Sequence, residues 1–180
     1  MLEIVIPATE LFDEQKQEFI VSQKEQTLQL EHSLVSLSKW ESKWCKPFLS
    51  SDKTDEEILD YIKCMTITQN VKPEVYNRLT NDNIERINAY INAPMTATTF
   101  SEEKNARSTR EIVTAELIEY WMISCGIPWD YRKSHLNKLL TLIRVCNIKN
   151  SPPKKRSKRD IMSRNQALNA ARRRQFNTRG

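Results

Sequence analysis

The last thirty residues constrain this chain more than any other feature. Residues 151–180 hold ten of its 28 lysines and arginines (Lys154, Lys155, Arg156, Lys158, Arg159, Arg164, Arg172, Arg173, Arg174 and Arg179) against a single acid, Asp160, for a net charge of +9. Residues 1–150 keep 18 basic and 22 acidic side chains, a net of −4, so the +5 of the whole chain hides a split between a mildly anionic body and a cationic appendage. A segment so charged, with only Ile161, Leu168 and Ala171 as a thin apolar stripe, has little to bury. "NSPP" (150–153) reads as a hinge, Ser157 as a helix cap, and 158–175 as a helical arm that orders on a partner. The core must come from the first 150 residues, which are enough for one ordinary domain.

The pattern of that body is α+β and mainly α-helical. Leu2–Ile6 is a run of branched residues stopped by Pro7, and Leu28 and Leu30 alternate with polar neighbours as a half-buried strand requires. These predict a small N-terminal β-meander or pair of hairpins over 1–32. From Ser33 the period becomes helical through Leu34, Leu37, Trp40 and Trp44, and Pro47 ends it. "TDEE" (54–57) is a capping box, followed by a stripe of Ile58, Tyr61, Ile62 and Met65. A third helix is expected from Thr80 or Asp82, with Ile84, Ile87 and Ile91 inward and a stop by Pro94. Residues 94–107 read as a loop that is either mobile or used for contact, and "STRE" (108–111) as a second capping box. The helix behind it, to Cys125, is apolar nearly all round and is expected to be the most buried element. Gly126 stands where a left-handed C-cap is needed, and Pro128 suits the first turn of the next helix. Leu136, Leu139, Leu140, Ile143 and Cys146 form that helix's inner face, and the two helices together are expected to centre the core. The three segments are thus 1–32, a helical domain 33–150 and the basic arm 151–180.

The chemistry is sparse. Two glycines in 180 residues leave no phosphate-cradling loop. His32 and His135, the only histidines, have no cysteine or second histidine at metal-ligand spacing, so neither a metal site nor a cofactor is expected. His135 reads as a polar residue on a helix surface. Cys45, Cys64, Cys125 and Cys146 form no CxxC pair and are read as reduced, hence intracellular. The start "MLEIVIPATE" is not a signal sequence, and no apolar run is long enough for a membrane span. Asp55, Glu56 and Glu57 suit the positive end of a helix dipole better than acid–base work. No nucleophile motif is present, so no catalytic residue and no enzyme activity are expected. In "SKWESKW" the lysines interleave with Trp40 and Trp44, as a stacking platform needs. Their one-turn spacing and Glu41 favour core or interface aromatics instead. The tail can bind nucleic acid through counterion release or dock on an acidic protein surface.

The segments "LEHSLVSLSKWESKWCKPFL" (30–49), "IKCMTI" (62–67), "PMTATTFS" (94–101), "REIVTAELIEYWMISCGIPWDYRKSHLNKLLTLIRVCNIKNSPPKK" (110–155) and "RNQALNAARRR" (164–174) resemble a family of small bacteriophage proteins, the tail assembly chaperones of long, non-contractile-tailed phages (siphophages). The resemblance implies a non-enzymatic protein of the host cytoplasm, absent from the mature virion. Such a protein coats the long helical tape measure protein, keeps it soluble and helps recruit major tail protein. On that expectation Trp40, Trp44, Trp129 and Tyr131 are candidate groove residues, and Lys154, Lys155, Arg156, Lys158, Arg159, Arg172, Arg173 and Arg174 are candidate arm contacts. A homo-oligomer is possible and no membrane is involved. The alternatives are a nucleic-acid-binding accessory protein and a structural tail or connector protein of the virion.

Overall fold

The computed structural model describes residues 1–13, 18–100, 111–151 and 158–177. The architecture is the expected one: antiparallel strands at the N-terminus, then helices. The strands, however, form neither a meander nor two successive hairpins. β1 (Leu2–Ile6) pairs with β4 (Gln26–Leu30), and β2 (Thr9–Asp13) pairs with β3 (Glu18–Gln23), one pair nested inside the other. The outgoing ribbon breaks after Pro7, which has no amide to give to a ladder. Strand alternation places Ile4, Ile6, Leu28 and Leu30 inward, all 0 % exposed.

Both edges of the β1–β4 pair are covered. On the β4 side the Ile67 amide donates to Gln29 O (2.8 Å) and the Glu31 amide to Met65 O (2.9 Å). On the β1 side three outward carbonyls accept from side chains that follow one another in sequence. Arg78 donates to Pro7 O (3.0 Å), Asn83 to Val5 O (3.2 Å) and Arg86 to Glu3 O (3.0 Å). Such caps keep an edge from recruiting a foreign strand.

The helices are α1 (Leu34–Trp44), α2 (Asp55–Met65), α3 (Asn81–Asn92), α4 (Ala115–Ser124), α5 (Leu136–Asn150) and α6 (Lys158–Phe176), with 3-10 turns at Pro73–Arg78 and Trp129–Lys133. Local signals set most ends. Ser33 caps α1 in a reciprocal box with Ser36, and Cys45 ends it in the left-handed region at φ 50°. The Thr54–Glu57 box caps α2, and Thr80 caps α3. Gly126 takes φ +66° after α4, which only a residue without Cβ adopts freely. The "STRE" box lies outside the described residues, apart from Glu111, as does Ser157. α4 is instead capped by Thr114, which accepts from the Leu117 amide.

The centre of the core is α1, which packs on α2, on α4 and on the Trp129–Lys133 turn. The expected α4–α5 hairpin does not hold that place. Leu34, Leu37 and Trp40 are 0 % exposed. α4, expected to be the most buried element, buries only Ala115, Ile118 and Met122 and leaves Tyr120 and Ile123 in solvent. Its composition is apolar nearly all round, but among the described residues only one face is buried. In α2 the inward stripe is Tyr61, Ile62 and Met65, joined by Glu57 and Asp60, while Ile58 is exposed. Ile84 of α3 is likewise exposed, and Tyr90 takes the inward place beside Ile87. The chain forms two compact units, Met1–Asn147 and Ile148–Gly180. The strand region shares its core with the helices of the first unit and is not a separate piece.

Candidate functional site

Of the four aromatic residues expected to line a groove, two belong to the core. Trp40 is fully buried, its indole N–H donating to Glu57 O (2.9 Å) and its ring edge-on to Phe48 (5.1 Å between centroids). Trp44 is half-buried, and its Nε1 donates to Asp60 Oδ2 (3.0 Å). Helical spacing turned both rings toward α2, and each found an acceptor there, as a buried indole needs. Trp40 has no face left for a partner and Trp44 only part of one, in keeping with the core-aromatic reading of "SKWESKW" and against a groove lined by Trp40. Glu41, between them, is buried too. Its Oε1 accepts from the Phe48 amide and its Oε2 from the Ala115 amide, both at 2.7 Å. One carboxylate thus ties α1 to the loop behind it and to the first turn of α4, where the helix dipole favours negative charge.

The polar residues around these rings are paired internally. Lys43 meets Asp60 Oδ1 at 2.5 Å. Burial pushes the Asp60 carboxyl up, but hydrogen bonds from Lys43 and Trp44 outweigh it and hold the group below the usual range. Glu57 pairs with Lys46 and accepts from the Thr54 amide, and both contacts lower its carboxyl. A charged group so engaged is a structural tie.

Trp129 and Tyr131 are the exposed pair, 46 % and 40 % accessible. They sit on the 3-10 turn that packs against α1. The turn is held by its own backbone: the Tyr131 amide donates to Pro128 O (3.0 Å), and the Ser134 hydroxyl to Tyr131 O (2.6 Å). Arg132 lies over the Trp129 ring with its guanidinium carbon 4.9 Å from the centroid. A stiff turn carrying two accessible aromatics and a stacked guanidinium can take an apolar side chain and an acceptor from a partner chain.

The arm is a helix, as its pattern predicts. Lys158, Arg159, Arg172, Arg173 and Arg174 all lie on α6 and are exposed. Lys154, Lys155 and Arg156 lie outside the described residues.

The signal that sequence reading missed is the histidine pair. His135 is buried, not a helix-surface residue, and its ring stands 5.1 Å from that of His32. The backbone brings them together: Ser33 and His135 form an isolated antiparallel bridge, and the Leu136 amide donates to His32 O (2.7 Å). His135 Nε2 faces the Tyr90 carbonyl (3.0 Å), and its Nδ1 accepts from the Asn137 amide (3.3 Å). His32 Nδ1 is 2.6 Å from the Tyr61 hydroxyl. Burial, reinforced by the facing His135, lowers the His32 pKa to about 4. Burial also raises Tyr61, and burial together with Glu31 raises Tyr90, whose hydroxyl donates to Glu31 (2.7 Å). Two imidazoles and two phenols form a hub joining the segment after β4, α2, α3 and the start of α5. With the histidines 2 % and 6 % exposed, a solute has no approach to them.

Among the described residues, no group of three or more His, Cys, Asp or Glu side chains could hold a metal ion. Nor is any helix among them long and apolar enough to cross a membrane. A shallow cleft of about 460 Å³ lies over the turn Pro73–Arg78, where Lys24, Lys72 and Arg78 alternate with Glu25 and Glu74. Arg78 there donates from Nη1 to the carbonyls of Pro7 (3.0 Å) and Lys24 (3.5 Å). No family model matches the chain, and no curated protein or solved structure matches it significantly.

Proposed function

We propose that this protein is a phage tail assembly chaperone, a non-catalytic binding module that engages the tape measure protein and assists assembly of the tail tube. The observation that carries this reading is the accessible Trp129–Tyr131 pair on a backbone-locked turn, with Arg132 stacked on the indole. Aromatic and arginine anchors on rigid supports are the residue types that dominate protein–protein contacts. A long, largely helical client offers apolar stripes to such anchors, and the exposed cations of α6 add charge for its acidic stretches. The test is co-expression with the tape measure protein and measurement of its soluble fraction. The wild-type chain raises that fraction, and the double variant W129A/Y131A loses most of the effect. A tape measure equally soluble without the chain ends the proposal.

A second reading rests on α6 alone. It carries six lysines and arginines against one acid on an exposed helix, the footprint of a polyanion binder. It requires DNA or RNA binding with a steep salt dependence that disappears when residues 151–180 are removed. The absence of any gel shift at low salt rejects it.

A further inference from the structure

We infer that copies of this chain associate, the cationic helix α6 of one copy lying along the exposed face of α4 on another. The inference stands apart from the chaperone reading and rests on two complementary surfaces. α4 buries Ala115, Ile118 and Met122 and turns Glu116, Glu119, Tyr120 and Ile123 the other way. At helical spacing those four residues fall on about one third of the circumference. Tyr120 is 63 % and Ile123 69 % exposed, more than a helix needs to leave in water. From Glu111 to Cys125 the chain has three acids, Glu111, Glu116 and Glu119, and no lysine or arginine. The face interleaves two apolar side chains, Tyr120 and Ile123, with two glutamates of its own helix, Glu116 and Glu119, and an exposed apolar patch beside charge marks a contact.

α6 carries the opposite pattern. Ile161 and Leu168 stand two turns apart on one face, 45 % and 47 % exposed, with Arg164 and Arg172 on the same side. Laid on α4, this helix covers Tyr120 and Ile123 with its apolar stripe and brings its arginines to the glutamates. An amphipathic helix on an apolar face is a recurrent mode of recognition, and the charge match sets partner and register. A nucleic acid satisfies the arginines but leaves Ile161, Leu168 and the α4 face in water. A second copy satisfies both sets of groups at once, which is why it is the favoured occupant.

The test uses three full-length proteins in sedimentation velocity, after nuclease treatment. The wild type is expected to associate over about 1 to 100 μM, the range suited to a single helix contact. The association weakens as salt rises, because the charges are screened. Y120E/I123E, which alters only exposed positions of α4, and L168E/R172E, which alters only α6, each sediment as monomers, with unchanged far-UV circular dichroism for the first. Mixed in equal amounts they recover a one-to-one complex, since one supplies an intact α6 and the other an intact α4. A wild type that stays monomeric at every concentration overturns the inference. So does association that survives both double substitutions, or a mixture that recovers nothing. Self-association that vanishes with nuclease assigns the arm to nucleic acid and overturns it as well.

Discussion

α1 and α6 are both helices, and their lengths run opposite to their anchorage. α1 has 11 residues and places Leu34, Leu37 and Trp40 wholly out of solvent, with a reciprocal cap at its start. α6 has 19 residues, and every described side chain on it is exposed. The difference shows that a helix in this protein is held by what its face meets and not by how far its pattern runs. α1 carries the fold. α6 carries charge and a thin apolar stripe, both exposed.

The comparison breaks first, and hardest, at Trp40. Trp40→Ala opens a cavity under α1 and frees the Glu57 carbonyl, and should cost about 4 kcal/mol in chemical denaturation. A midpoint near wild type removes α1 from the centre of the fold. Acid is the next largest perturbation, through His32. Its imidazole titrates near 6.5 when unfolded and at about 4 when folded. Between those values the unfolded chain binds more protons, so the contribution is complete above pH 6.5 and is lost as pH falls through the window. The loss amounts to about 3 kcal/mol by pH 4. Denaturation at stepped pH measures it, and His32→Asn should flatten that slope. Glu41→Ala follows. It leaves the Phe48 and Ala115 amides without their acceptor and should cost about 2 kcal/mol in the same measurement. The smallest effect sharpens the contrast: Leu168→Ala on α6 should move the body's unfolding by less than about 0.5 kcal/mol.

Local signals in the sequence were reliable. The Thr54–Glu57 box, the Thr80 cap, Gly126 after α4 and the Leu28–Leu30 alternation each act within four residues, and each appears where it was expected. Facing was less legible. Nothing within α4 says that Tyr120 and Ile123 stay in water while Ile118 and Met122 do not, because its composition is nearly uniform around the axis. Ile58 gave way to Glu57 and Asp60 because α1 supplies Lys43 and Trp44, and the loop after it Lys46, to meet them. The candidate surface was half legible. Trp129 and Tyr131 are accessible, whereas the equally aromatic Trp40 and Trp44 point inward.

By itself the sequence determined the division between a mildly anionic body and a cationic helix, the order of strands and helices, and most of the helix ends. Charge density, caps and residue period act along the chain and need no partner to be read. The tertiary structure alone decided that β1 closes on β4, that His32 meets His135 across 103 residues of chain, and that Glu41 binds the amide of Ala115. Those depend on which surfaces arrive opposite one another, and a buried polar atom takes whichever partner the packing delivers.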